Sequence, residues 1–400
     1  MRYGIIGIVA LALLISSASA VGNVVLQGNG QGALGAGTGT LTQAANNGAI
    51  VVGNGNWVLQ GNDQFATLGG SGLIDQDAGN GALVVGNGNL VEEINSQFAD
   101  LNGEGAIDQD SNNLAVVIGD LNFVGQANLA IAEQDGLTTT IAQNQDNLAA
   151  VIGDINDAVQ YNEANAYIDE FSANAHIDQI QNNLGLQVGG FNYMDQYNEA
   201  DADMNVALYS GISQGQDNAG LQVGGFNYMD QCNEADAYMF VAWGNSITQD
   251  QENDGLQAGS LNFMWQNNYA DADHDWGYDD VSIQDQTNAA AEIGIFNVVD
   301  QNNYVKAEMV GGNDQIVQNE DNLALVIGNG NIAIQGNYQE AYSDPAWFDD
   351  SDVIFQTADN VALMLGNGDF AGQGNLQYAE QGDESSVLVD QTAANLALII

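Results

Sequence analysis

The sequence predicts an all-β fold, an amyloid-like β-solenoid or array of stacked β-arches with about 11 repeats of about 34 residues. Three observations point there. A Gly-x-x-Asn motif recurs with its glycine at Gly53, Gly86, Gly119, Gly153, Gly189, Gly224, Gly259, Gly294, Gly328 and Gly366. Around each anchor the residue types follow a period of two, the period of a strand. Glycine is abundant at 49 and proline nearly absent at 1, which suits stacked strands and tight turns.

Along the chain, the first segment reads as an export signal. Arg2 precedes an apolar stretch from Ile5 to Ile15, and Ala18-Ser19-Ala20 is a small-residue cleavage site. Residues 1–20 are therefore expected to be removed, leaving 21–400 as a single repeat domain. No later apolar run reaches the roughly 18 residues needed to span a bilayer, so no membrane insertion is expected. The destination is secreted: extracellular or in the cell envelope.

Within a repeat, position is counted from the anchor glycine. Position −10 is Gln in all ten, from Gln43 to Gln356. Position −6 is Asn in all ten: Asn47, Asn80, Asn113, Asn147, Asn183, Asn218, Asn253, Asn288, Asn322 and Asn360. Position +9 is Asn and +13 is Ala throughout, while +7 is Gln with the one exception of Glu93. Position −4 is Ala or Gly, and +5 is Val, Ala or Met. A buried amide is costly unless hydrogen-bonded. Amides stacked at the strand spacing of about 4.8 Å satisfy one another in a ladder. Solvated turns are the alternative use of Asn, but turns do not require Gln at a fixed offset. The run Asn322–Ile327 before the anchor is expected to be a strand buried on both faces. Tyr193, Tyr228, Phe263 and Trp57 at +4 point away from the amide face and are expected to stack.

Gln187-Val-Gly189-Gly-Phe-Asn192, followed by Gln196, resembles the curlin repeat of bacterial amyloid fibres. Gln222, Gly224, Asn227 and Gln231 share it, as do Gln257, Gly259, Asn262 and Gln266. Most other repeats put Val at the first Gln, the later Gln follows Asn by four residues, and the period is longer. Size, leader, acidity and Asn/Gln/Gly repeats together resemble the amyloid-like sheath (hoop) proteins of methanogenic archaea. That resemblance implies a structural protein of the cell envelope.

The repeat phase of the two ends predicts assembly. Val21, Asn23, Val25, Gln27 and Asn29 occupy positions +1 to +9 of an anchor at 20. Gln391, Asn395, Leu396, Leu398 and Ile400 occupy −10 to −1 of an anchor at 401. A second copy then supplies the missing half-repeat, giving a head-to-tail homo-oligomer or polymer, a ring or a filament. Simple fraying of the ends is the alternative.

The charge excludes some partners. Lys+Arg number 2 against 53 Asp+Glu, a formal net charge of −51. Nucleic acid is not expected, since neutralising phosphates needs Lys and Arg. Glu199 and Glu234 share one offset, and Asp201, Asp236 and Asp271 another. If repeats stack directly these rows repel, and Ca²⁺ or another divalent cation would relieve them. A solvated acidic face is the alternative. No cofactor is required. Asp271-x-Asp273-x-Asp275 is no EF-hand loop, since Trp276 and Ser282 hold its sixth and twelfth positions. Cys232 alone distinguishes 220–237 from 185–202, where Tyr197 stands. It is a candidate for an intermolecular disulfide or an inert thiol. His176 and His274 have no repeated partner, and no acid pair stands out, so an enzyme is not expected. A Ca²⁺-dependent RTX-like adhesin or binding module is the alternative to a self-assembling structural protein.

Overall fold

The computed structural model describes residues 24–53, 55–345, 351–381 and 386–399. The expected leader 1–20, and Val21, Asn23 and Ile400, lie outside them. The first strands are β1 (Val24–Leu26), β2 (Asn29–Ala36), β3 (Gly39–Val52), β4 (Trp57–Gly69), β5 (Gly72–Val85), β6 (Asn89–Asn102) and β7 (Gly105–Ile118). Then come β8 (Asn122–Asp135), β9 (Thr139–Ile152), β10 (Ile155–Ala173), β11 (His176–Leu208), β12 (Gly211–Trp243) and β13 (Ser246–Tyr278). The last are β14 (Val281–Gly294), β15 (Phe296–Gly312), β16 (Gln315–Asn329), β17 (Ile332–Pro345), β18 (Ser351–Asn367), β19 (Phe370–Gln381) and β20 (Ser386–Ile399).

The fold is a parallel β-solenoid of about ten turns. One repeat makes one rung, because each residue pairs with its equivalent in the next repeat, as Asn80 does with Asn113. A first arm before the anchor and a second arm after it form a β-arch. First arms stack on first arms (β3 on β5 on β7 on β9) and second arms on second arms (β4 on β6 on β8 on β10). β11, β12 and β13 run through the anchor turn unbroken and so join the two faces.

Stacking explains the anchor. A Cβ on Gly119 would lie 1.4 Å from the Gly86 carbonyl oxygen one rung below, and φ there is +150°. Only glycine permits that approach. The Asn at +3 closes the turn: Asn89 Nδ2 donates to the Gly86 oxygen (2.6 Å) and to Asn122 Oδ1 (2.9 Å).

The interior has three zones. Far from the anchor, Ala66, Ile74, Ala99, Leu101, Ile107 and their equivalents form an apolar plug, which explains the fixed Ala at +13. Near the anchor, −4 meets +5. Gly185, Gly220 and Gly255 make room for Met194, Met229 and Met264, while Ala290 sits in the same cluster as Val299. Between the plugs lie the amides.

One expectation needs correction. Asn322–Ile327 is buried on one face only: Ala324 and Val326 are buried, but Leu323 is 49% exposed. Positions −5, −3 and −1 face outward along every first arm. Among the described residues Asp254 is their one charged member. These columns stack rung on rung, Leu186 on Leu221 on Leu256, and lie outside the buried interior.

Candidate functional site

Two asparagine ladders run the length of the stack. At −6, Nδ2 of each donates to Oδ1 of the next, from Asn47 through Asn80 and Asn113 to Asn360 and Asn395, at 2.9–3.1 Å. Asn147, Asn183, Asn218, Asn253, Asn288 and Asn322 continue it at 3.0 Å. At +9 a second ladder runs from Asn29 to Asn375 in the same direction. The two are laced together, Asn29 donating to Asn47 (2.9 Å) and Asn47 to Asn62 (2.9 Å). The glutamine ladder at −10 runs the opposite way, from Gln391 to Gln356 and so down to Gln76 and Gln43. Ladder positions within the stack are buried.

The ends of the described stack therefore carry opposite patterns. On one, Asn375 and Asn395 are the last amides of ladders whose N–H groups point outward along the axis, and Gln391 is the last of one whose oxygens do. On the other, Asn29 and Asn47 present oxygen and Gln43 an N–H group. β20 pairs with β18 alone among the described strands, and β1 and β2 pair only with β4. Leu396 (60%) and Leu398 (49%) are exposed. Gln27 and Asn29 lie at the opposite end, stacked on Gln60 and Asn62. Val25 pairs with Val58.

The acidic rows form as the spacing predicts. Glu199 pairs in register with Glu234, and Asp201 with Asp236 and then Asp271, all on the outer face of the second arm. The Tyr161 hydroxyl lies 3.0 Å from carboxylate oxygens of both Glu163 and Glu199, its one proton shared between them, and Tyr197 donates to Glu234 (2.6 Å). Lys306 ends the aspartate row with an ion pair to Asp271 (3.2 Å). Burial, with Asp271 next, pushes Asp236 up to about 7. Among the described residues no group of three or more His, Cys, Asp or Glu is placed to hold a metal ion.

Cys232 is a half-buried free thiol between Tyr197 and Asn267. The rung above offers Tyr269, not a glutamate, so a tyrosine at 232 would lack the next-rung acceptor that Tyr161 finds in Glu199 and Tyr197 in Glu234. Burial, with Asp230 and Glu234 beside it, pushes the thiol up to about 12. It stays protonated near neutral pH, which slows disulfide exchange. Of the aromatic residues at +4, Tyr193 stacks on Tyr228 with centroids 4.9 Å apart, whereas Tyr228 and Phe263 both stack on Trp265, two positions past Phe263, and Trp57 pairs in register with Val24 and Leu90.

Sequence reasoning missed a set of buried acids. Glu93, Glu292 and Glu320 lie inside the arch, as do Asp280, Asp314 and Asp352 at the far turn. His274 Nδ1 is 3.5 Å from Asp280 Oδ2, both side chains fully buried. The signal was present. Glu93 breaks the +7 column, Glu292 follows Gln187, Gln222 and Gln257 at −2, and Glu320 follows Gln286 at −8.

Fold and ladders define a β-solenoid repeat protein. Comparison with known protein families, curated proteins and solved structures finds no match.

Proposed function

We propose that this chain is a secreted structural protein that self-assembles head to tail, one stack continuing the next, into an extracellular sheath, surface coat or amyloid-like fibre. The observation that carries this reading is the opposed pattern of the two stack ends. Asn375 and Asn395 offer N–H groups where Asn29 and Asn47 of a second copy offer oxygens, and Gln391 offers an oxygen where Gln43 offers an N–H group. Extension in register would add parallel strands to β19 and β20, as strands add in cross-β assemblies. The exposed aliphatic columns at −5, −3 and −1 supply a further apolar face, of the kind that marks interaction surfaces.

The test is electron microscopy of the chain from Val21, before and after hot detergent. Ordered rings, tubes or fibres that survive are expected, and a chain lacking Leu396–Ile400 should stay soluble and unpolymerised. Isolated rods, or unimpaired polymerisation of the shortened chain, would overturn the reading. The in-register rows of Glu199, Glu234, Asp201, Asp236 and Asp271 favour a second reading, a Ca²⁺-dependent RTX-like adhesin or binding module. That reading predicts unfolding by a chelator to a soluble chain.

A further inference from the structure

Two buried glutamates sit at the same kind of place. The −2 ladder runs downward, with Gln222 Nε2 donating to Gln187 Oε1 and Gln257 to Gln222 (2.8 Å each). Its next rung is Glu292, in register with Gln257. The −8 ladder also runs downward, Gln286 donating to Gln251 at 2.6 Å, and its next rung is Glu320, in register with Gln286. In both ladders the last glutamine oxygen, Oε1 of Gln257 or Gln286, has no hydrogen-bond partner. Neither oxygen of Glu292 or Glu320 has one either. Both glutamates are fully buried. An acceptor thus faces an acceptor at both sites, which a carboxylate cannot relieve and a carboxylic acid can. Elsewhere such a ladder ends bare: Gln97 gives way to Ala130 and leaves its oxygen unpartnered.

We propose that Glu292 and Glu320 are neutral carboxylic acids that cap the two ladders, each donating its proton to the glutamine oxygen one rung below, and that this makes the rungs from β13 to β16 a base-labile seam. Nothing charged holds these protons in or drives them off. Glu292 lies between Gln257 on β13 and Val326 on β16, and Glu320 between Gln286 on β14 and Ala358 on β18. The facing arms β15 and β17 turn inward only uncharged side chains at these levels, among them Val299, Gln301, Asn303, Val305 and Asn337. The Val305 backbone amide approaches Glu320 and alone favours its charged form. Desolvation holds both groups well above the ordinary glutamate value of 4.5. Glu93 is the contrast. Gln60 and Gln126 donate to its two oxygens (2.8 and 2.9 Å), so no acceptor faces an acceptor there, and although burial still raises it to about 7 these hydrogen bonds pull the other way.

The sign follows from linkage. A folded value raised above the unfolded one gives stability that is complete below about pH 4.5. It is lost as pH rises toward the folded value, because opening then releases a proton. Opening of the seam should grow about tenfold per pH unit for each glutamate, hence about a hundredfold for the two.

The experiment is hydrogen exchange of segment 246–329 in the full chain from pH 5 to 9, corrected for the intrinsic rate. It compares wild type with Glu292→Gln, Glu320→Gln and the double variant. Glutamine simply continues each ladder, so the single variants should each lose one factor of ten per pH unit and the double variant both. Slopes unchanged by the substitutions would overturn the proposal. Infrared spectra of the wild type near pH 8 provide the second measurement, one that needs no variant to fold. A protonated-carboxyl carbonyl band is expected there, and its absence would equally overturn the proposal. Neither readout depends on whether the stacks assemble.

Discussion

A Cβ on Gly220 would lie 2.5 Å from Met229 Cε and 2.7 Å from its Sδ, and Gly185 and Gly255 meet Met194 and Met264 the same way. In the flanking rungs Ala149 shares a cluster with Ala158, and Ala290 with Val299. The two arms thus divide a nearly fixed volume between −4 and +5, and the division changes along the stack. The same exchange occurs deeper in. Gln145 to Gln251 at −8 face Ala164 to Ala270 at +11, while Gln64 and Gln97 at +11 face Ala78 and Ser111. Interiors packed to crystal density do not tolerate an extra methyl group on one side alone. Gly220→Ala should therefore destabilise the chain by about 1–3 kcal/mol. Adding Met229→Val, which recreates the Ala290–Val299 pair, should recover most of that loss. A double-mutant cycle by thermal unfolding measures the coupling. Additive losses would mean that the two arms do not pack as described.

At the scale of the element, a ladder is a directed object, and Glu93 is where one reverses. Gln27 donates to Gln60 and Gln60 to Glu93, while from Gln126 upward every +7 amide donates downward. Glu93→Ala strands two buried donors, and at about 1–3 kcal/mol for each it should cost about 2–6 kcal/mol. Glu93→Gln should cost much less. Rotating the amides of Gln60 and Gln27 by 180° lets the whole ladder run one way. Chemical denaturation of the two variants checks this, and equal losses would show that the upstream amides cannot turn. Much of the fold is visible in the sequence because stacking makes every rung repeat its neighbour's constraint. An anchor glycine is demanded by the glycine below it, and Asn113 by Asn80. Fixed offsets thus disclose the arch, its turns and the amide ladders. Three features escape that logic. Outward columns such as Leu323 repeat as faithfully as buried ones, so repetition alone could not say which face Asn322–Ile327 buries. Hydrogen-bond direction has no signature in residue type. Glu292 and Glu320 sit where a column changes identity, and they look like ordinary surface acids until the register places them over an orphaned amide oxygen.

The whole molecule carries a formal charge of −51, and stacking lines that charge into rows. Burial is the largest cause of the upward shift at three of their aspartates: Asp230 and Asp273 reach about 6 and Asp236 about 7, against an ordinary 3.8. Neighbouring carboxylates come second, Asp195 for Asp230, Asp275 for Asp273 and Asp271 for Asp236. Asp314 at the far turn, where burial again leads, also reaches about 7. Each folded value lies above its unfolded one. The stability these groups contribute is therefore complete below about pH 4 and lost as pH rises through 6 to 7. The thermal midpoint should be highest near pH 4 and fall between about pH 4 and pH 7, and a midpoint that rises over that range would contradict the assignment. Salt separates the two causes. Repulsion along the exposed rows is screened at about 1 M salt, where the Debye length is about 3 Å, whereas desolvation inside the arch is not. If burial dominates, most of the slope should survive high salt. If the rows merely repel one another across solvent, salt or a divalent cation should flatten it.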